Sequence, residues 1–405
     1  MLLPADPLRE GALTVVRTLR AAGFQALFAG GCVRDRVLGL APQDYDIATD
    51  ARPEAVMELF ARAIPVGVQF GVVRVIVEHR EYEVATFRAE TDYDGRRPGE
   101  VRWADARADV LRRDFTINGL LEDPLAPGGG EVIDFVGGRA DLEAGLVRAI
   151  GEPLERFGED FLRLLRCVRF AARMAFQIDP PTWQAVLELA PYIHRISPER
   201  VAEELDRVVT QGHQSRGLAL LGAAGLLGHV LPELGAAERF ERAVARLRHL
   251  GPCTPVLGWG ALLLDVQDGA EGIEALGRRL RWSRALSRGV TEAVGAAHAI
   301  ARWPELDVAA RKRAARLPTF GEALVIAGTA GHRQEEELAK ADLARWGAED
   351  LRPTPLLNGE DLKAAGHRPG PRFSFAIQAL ETAQLDGRAT TREEAWAVVE
   401  AVLAG

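Results

Sequence analysis

The sequence predicts an α+β protein, with a small mixed-sheet head domain over residues 1–150 followed by an all-α neck, body and tail. Three observations carry this. Over the first 150 residues, stretches with helical spacing of apolar residues alternate with β-branched runs. From Glu155 onward the strand signal fades. Leu, Ala and Arg then dominate at helical spacing, broken at Pro180-Pro181, Gly212, Gly222, Gly251-Pro252 and Pro304. The sharpest change of composition runs from Gly137-Gly138 to Pro153 and is read as the head-to-neck hinge. The neck is assigned to 151–215 and the body to 216–350. The tail, 351–405, begins at the loop-like Arg352-Pro353-Thr354-Pro355. A chain of 405 residues with 47% hydrophobic content has material for more than one core.

No uninterrupted apolar run is long enough to span a membrane. Met1-Leu2-Leu3-Pro4-Ala5-Asp6 lacks the charged start and apolar core of a signal peptide. The three cysteines, Cys32, Cys167 and Cys253, follow neither metal-ligand nor disulfide spacing. A cytoplasmic, reducing setting is expected, with no membrane partner.

In chain order, Leu13 to Ala22 reads as an amphipathic helix ended by Gly23. Leu27-Phe28-Ala29 is a short buried strand entering the turn Gly30-Gly31, after which Val33, Val37 and Leu38 keep helical spacing. The turn therefore opens a helix, where backbone N–H groups favour anions, and bare glycines let a ligand approach. Arg34 adds a donor fork suited to phosphate oxygens. In Asp44-Tyr45-Asp46 the carboxylates are spaced i, i+2, so on extended chain both face one point, which suits a hard cation such as Mg2+. A phosphate cradle beside a metal-binding pair reads as nucleotidyl transfer. Arg52 to Ala63 reads as a second amphipathic helix. Residues 72–77 and 82–87 are β-branched runs joined by His79-Arg80-Glu81, a hairpin pattern, and residues 131–135 are one more short strand.

Two further constellations carry chemistry. Arg112-Arg113-Asp114-Phe115-Thr116-Ile117-Asn118 gathers two cations, a carboxylate and an amide at a spacing that suits ribose hydroxyls and a triphosphate. In Glu159-Asp160-x-x-Arg163-x-x-Arg166-x-x-Arg169, residues three apart are helical neighbours. Asp160, Arg163 and Arg166 would then form one polar ridge, with Phe161, Leu165 and Val168 toward the core. A carboxylate accepts and a guanidinium donates, so such a pair can read a base edge.

Gly30-Gly31-x-Val33-Arg34-Asp35, then Leu38-Gly39, then Asp44-x-Asp46-Ile47-Ala48-Thr49 resembles the signature of the class II tRNA nucleotidyltransferases. These are the CCA-adding enzymes and related bacterial poly(A) polymerases of the DNA polymerase beta superfamily. The remaining motifs follow in the family's order over most of the chain. The resemblance implies a nucleotidyltransferase head in which Asp44, Asp46 and Glu83 are catalytic. Glu83, in Glu83-Val84-x-Thr86-Phe87-Arg88, completes the acidic cluster, and Asp44 and Asp46 hold Mg2+. It also implies nucleotide binding by Gly30, Gly31, Arg34, Arg112, Arg113, Asp114, Asn118, Asp160, Arg163, Arg166 and Arg169. The 112–118 motif would separate ribonucleotides from deoxyribonucleotides, and Asp160 with arginine would template CTP and ATP.

Three more motifs fit the same resemblance. Asp134-x-x-Gly137-Gly138-x-x-Asp141-Leu142 resembles the hinge. Ser197-x-Glu199-Arg200-x-x-x-Glu203-x-Leu205 resembles a helix that buttresses the template. Asn358-Gly359-x-Asp361-Leu362 with Gly366-x-x-Pro369-Gly370-Pro371 resembles a tail element that cradles tRNA, although Arg372-Phe373-Ser374-Phe375 departs from the usual glycine-bearing continuation.

Within that family, residues 65–73 look like the tRNA-modifying branch, and residues 88–100 like the flexible loop that CC-adding enzymes lack. The expectation is addition of CMP, CMP and AMP to the tRNA 3′ end from CTP and ATP. A-only addition, CC-only addition and poly(A) synthesis stay open. A non-catalytic RNA-binding protein is opposed by the intact Asp44, Asp46 and Glu83, and a small-molecule nucleotidyltransferase by the long helical body. The net charge of −8 does not favour nucleic acid, but a sum hides patches. Arg278-Arg279-Leu280-Arg281 with Arg284 and Arg288, and Arg311-Lys312-Arg313 with Arg316, are candidate phosphate contacts. The eight histidines are dispersed, and no His-Asp pair marks an appended phosphohydrolase.

Overall fold

The computed structural model describes residues 6–67, 71–91, 100–128 and 130–404. Of the segments singled out above, residues 1–5, residues 68–70 of the 65–73 stretch and residues 92–99 of the 88–100 stretch lie outside the described residues. The chain divides into two compact units, residues 1–208 with 217–232 and residues 209–216 with 233–405.

The first unit begins with α1 (Pro7–Ala21). The helix starts earlier than its apolar spacing indicated, because Asp6 caps it. The Asp6 carboxylate accepts from the Leu8 and Arg9 N–H groups at 3.0 and 3.2 Å, and Pro7 brings a helical φ. Gly23 (φ +89°) turns the chain out of the helix.

The strands of the head are β1 (Ala26–Ala29), β2 (Asp46–Thr49), β3 (Ala63–Gly67), β4 (Val72–Val77), β5 (Arg80–Thr86), β6 (Arg88–Thr91), β7 (Glu100–Trp103), β8 (Leu120–Asp123) and β9 (Glu131–Asp134), and a separate short parallel pair joins Leu146–Val147 to Gln177–Ile178 of the neck, which was expected to be all-α. Seven of them form a mixed sheet in the order β3-β4-β5-β2-β1-β8-β9, and β6 pairs with β7 as a separate ribbon. Between β1 and β2 runs α2 (Gly31–Val37). The helix expected over 52–63 is shorter: α3 (Pro53–Leu59) stops where Phe60 becomes extended, and Ala63 onward joins the sheet as β3. Pro65 is tolerated there because β3 is an edge strand. The β4–β5 hairpin turns at Glu78 and His79 (φ 49° and 65°), one residue ahead of the expected loop. Two central residues with positive φ match the right-handed twist of the strands.

Alternation puts Phe28, Ile47, Tyr82 and Val84 on one face of the sheet, against α1. The Tyr82 hydroxyl donates to the Leu8 carbonyl at 3.1 Å. Leu27, Ala29, Ala48 and Phe87 pack on the other face with Val110 of α4 (Ala106–Leu111). Beyond the sheet lie α5 (Gly138–Ala144), α6 (Pro153–Glu159), α7 (Leu162–Arg173), α8 (Pro180–Leu189) and α9 (Pro198–Thr210). At the expected hinge Gly137 has φ +78°. The Asp134 carboxylate accepts from the N–H groups of Val136, Gly137, Gly138 and Arg139, closing the entry to α5.

The second unit is helical. Trp259 and Trp303 are fully buried, and the Trp303 indole donates to Asp342 at 2.9 Å. Near the C-terminus, the helices Pro371–Leu385 and Arg392–Ala404 close around Leu357, Leu362, Leu380 and Val399. The Asn358-x-x-Asp361 motif is a reciprocal cap: Asn358 accepts from the Glu360 and Asp361 N–H groups, and Asp361 accepts from the Asn358 N–H. The basic cluster at 311–316 is turned inward. Arg311 pairs with Asp342, Lys312 donates to the Leu385 carbonyl, and Arg313 and Arg316 share Glu381. Arg281 and Arg284 of the other cluster are exposed. No helix among the described residues is long and apolar enough to cross a membrane.

Candidate active site

Three carboxylates converge by strand register. Asp46 opens β2, with Asp44 two residues earlier and the buried Tyr45 ring between them tilted against Phe28 at 5.0 Å. Asp44 and Asp46 therefore leave the sheet on the same side. β2 runs parallel to β5 with Ile47 opposite Val84. One residue back along both strands sets Glu83 beside Asp46. The Asp46 carboxyl is pushed up to about 7 by its removal from water, then by the charges of Asp44 and Glu83, with Arg113 opposing. Its side chain is solvent-exposed, so its hydration is thinned without being lost, and the neighbouring Asp44 and Glu83 charges add to the upward shift.

No group of three or more His, Cys, Asp and Glu among the described residues could hold an ion on its own. Mg2+ does not require such a cage: it keeps waters and is bound by one or two carboxylates plus substrate phosphates. The Asp44–Asp46 pair fits that pattern.

Across from the carboxylates, β1 leads into Gly30, whose φ of +70° and ψ of −118° suit glycine alone. A side chain here would also meet the Arg113 guanidinium at 3.1 Å. Arg113 reaches this place from just past α4. Its Nη2 donates to Asp109 at 2.9 Å and its Nη1 to the Asn118 carbonyl at 3.3 Å. Arg112 donates to the other Asp109 oxygen at 2.7 Å. Asp109 was missed in the sequence, although its i, i+3 and i, i+4 spacing to two arginines was a signal.

Behind the turn lies a buried polar chain. Arg34, 4% exposed, donates to Asp35 at 2.8 Å and to the Asn118 amide oxygen at 2.7 Å, so its fork is taken up by protein partners. The Asn118 amide N–H donates to Asp114 at 3.1 Å, and Arg166 donates to the other Asp114 oxygen at 2.7 Å. Burial alone would lift the Asp114 carboxyl. The Arg166 charge, the Asn118 and Arg166 hydrogen bonds and the Arg163 charge outweigh it and hold the group at about 2. Arg166 continues to Glu204 at 3.6 Å, and Glu204 accepts from Arg169 at 2.5 Å. Burial pulls Arg169 down to about 10, against the attraction of Glu204. Glu204 was also missed. A charged residue at an apolar-face position of α9, between Val201 and Val208, was its signal.

The templating segment differs from the expected ridge. Asp160 has extended backbone (φ −150°, ψ 103°) between α6 and α7 rather than a helical position. Its oxygens accept from Arg200 of α9 at 3.1 and 2.6 Å. Arg163 turns instead to Glu159 at 2.6 Å and to the Arg112 carbonyl at 3.0 Å. The break between the helices separates Asp160 from Arg163 and gives each its own partner. Phe161, Leu165 and Val168 are buried as expected. The structure thus groups Asp44, Asp46 and Glu83 with Gly30 and Arg113. It links Arg34, Asn118, Asp114, Arg166 and Arg169 in one chain, and holds Asp160 on the α9 buttress.

Residues 26–148 match the family model described as the poly A polymerase head domain, and residues 175–238 match the probable RNA and SrmB-binding site of polymerase A. The CCA-adding enzyme of Limosilactobacillus fermentum is 31% identical over 397 residues, 95% of this chain and 94% of that one. The CCA-adding enzyme of Lactiplantibacillus plantarum is 34% identical over 382 residues, 93% and 91% of the two chains. The crystal structure of the Bacillus stearothermophilus CCA-adding enzyme in complex with CTP superposes with a TM-score of 0.83 at 28% identity, covering 99% of each chain. A Thermotoga maritima CCA-adding enzyme complexed with tRNA shares the fold, with a TM-score of 0.65 at 21% identity over 99% of this chain and 96% of that one.

Proposed function

The chain belongs to the family of CCA-adding enzymes, and we propose that Asp44, Asp46 and Glu83 carry its reaction. The protein is a tRNA nucleotidyltransferase that adds CMP, CMP and AMP to the tRNA 3′ end from CTP and ATP, releasing pyrophosphate. The observation that supports the catalytic assignment is the convergence of three carboxylates on one face of the sheet by the β2–β5 register.

Asp44 and Asp46 would hold Mg2+. When bound, the ion lowers the pKa of the attacking 3′-hydroxyl and neutralises charge on the leaving pyrophosphate. Glu83 orients the 3′-hydroxyl from the neighbouring strand. The 3′-oxygen attacks the α-phosphorus, the bond to the β-phosphate oxygen breaks, and pyrophosphate leaves with no covalent enzyme intermediate. The Gly30-Gly31 turn lets the triphosphate approach the backbone, and Arg113 offers it the nearest cation, with Arg112 beside it on Asp109. Asn118 and Asp114 would read the ribose hydroxyls, and Arg34 fixes the Asn118 amide. Asp160, with Arg163, Arg166 and Arg169 on the following helix, forms the base-selecting side. The proposed division is head (1–150), neck (151–215), body (216–350) and tRNA-binding tail (351–405). We infer a cytoplasmic reaction from its proposed substrates, tRNA, CTP and ATP.

The test is incorporation of labelled CMP and AMP into tRNA lacking CCA. Asp44→Ala is expected to lower the rate about a hundred- to a thousandfold, as loss of one stabiliser of developing charge does. Full incorporation by that variant would defeat the assignment.

A further inference from the structure

Glu204 lies on the apolar face of α9 and is 2% exposed. A buried carboxylate is unfavourable unless paired. Glu204 is met by Arg169 at 2.5 Å, Arg207 at 3.2 Å and Arg166 at 3.6 Å. Arg166 is the member of this group that faces two ways. It sits between Glu204 and Asp114, 2.6 Å from the latter, and keeps 31% of its side chain open. The Arg34 and Arg169 side chains, by comparison, are nearly closed off. Arg34, Arg166 and Arg169 also share the Phe170 ring, at 5.3, 5.3 and 4.1 Å.

We propose that Glu204 is a positioning residue for nucleotide selection. It holds the Arg166 fork against Asp114, and so ties the ribose-reading Asp114–Asn118 end of the chain to the base-selecting side of the neck. This rests on the nucleotide site described under Proposed function. The physical argument is the charge pattern. Arg166 is held by Asp114 through Nε and Nη2 at 2.7 and 2.6 Å and faces Glu204 through Nη1 at 3.6 Å, so anions on two edges set the orientation of its planar fork. Without the Glu204 charge, Arg166 and Arg169 lie side by side over one ring with no shared anion. Arg166 then keeps Asp114 as its one anion, and the fork that steadies the Asp114–Asn118 pair is held less firmly.

The experiment is steady-state incorporation into a tRNA lacking CCA, with CTP and with dCTP, by wild type, Glu204→Gln and Arg166→Lys. Asp342→Asn is the control, since it removes a buried paired carboxylate of the second unit. Glu204→Gln is expected to raise KM for CTP about tenfold with a smaller change in kcat. It should also lower the CTP-over-dCTP ratio of kcat/KM about tenfold, the scale of one charged hydrogen bond. Arg166→Lys, which keeps the charge and loses the fork, shifts the ratio the same way. Asp342→Asn leaves both quantities unchanged. Partial misfolding lowers the active fraction, and with it the apparent kcat, but moves neither KM nor the ratio. If Glu204→Gln folds poorly, the Arg166→Lys ratio decides. A wild-type ratio and KM in both site variants overturns the proposal, as does an equal shift in Asp342→Asn. A wild-type protein that incorporates no CTP instead overturns the reading of the nucleotide site, a separate result.

Discussion

Asp46 is held in a conflict that its ligand resolves. With Asp44 and Glu83 beside it and its hydration thinned, its carboxyl is pushed up to about 7. In metal-free protein the folded state therefore keeps a proton that the unfolded chain releases near pH 4. The folded state binds more protons between these values, so the Asp46 contribution to stability is complete below about pH 4 and is lost as pH rises toward 7. Asp46→Asn removes this slope. It is expected to melt higher than wild type at pH 8 in the presence of a chelator, while losing activity; thermal scans at pH 5 and pH 8 check this. Asp114 has the opposite sign. Held at about 2, its contribution is complete above about pH 4 and is lost as pH falls toward 2. The sequence made Asp44 and Asp46 legible because i, i+2 spacing translates directly into a shared face. It left Asp109 and Glu204 obscure because their roles depend on partners brought in by folding.

At the scale of elements, the short parallel pairing of β2 with β5 sets the acidic cluster, and the break between α6 and α7 sets the templating segment. The hairpin, the glycine turn and the strand 131–134 could be read from pattern. The edge strand β3 could not, because Ala63-Ile64-Pro65 continues an apolar stretch that reads equally as helix. Likewise the i, i+3 spacing from Asp160 to Arg163 looked like one helical ridge, because a helix break leaves no signature in spacing alone. Asp160 depends instead on Arg200 across to α9. Arg200→Ala is expected to leave the protein folded and loosen the preference for CTP over UTP about ten- to a hundredfold, the range of a lost charged pair. Competition assays with mixed nucleotides measure this. An unchanged preference would mean that Asp160 needs no buttress.

For the whole molecule, composition separated a mixed α/β beginning from a helical remainder. It could not reveal that the side chains of Arg34, Asn118, Asp114, Arg166 and Glu204 cross the boundary drawn near residue 150. These residues all lie in the first compact unit, residues 1–208 with 217–232. The tail has a core of its own, and Leu362 is fully buried in it. Leu362→Ala is expected to cost about 2–5 kcal/mol of stability in the second unit and to leave CTP affinity unchanged, which calorimetric melting and titration read separately. The most direct measurement is the 3′-terminal sequence of a tRNA lacking CCA after incubation with CTP, ATP and Mg2+, for wild type beside Asp46→Asn. The expected result is a terminus completed to CCA by wild type and left unextended by the variant. Termini completed to CCA at the wild-type rate by Asp46→Asn would contradict the account, as would wild-type products that stop at CC or run into an A tail.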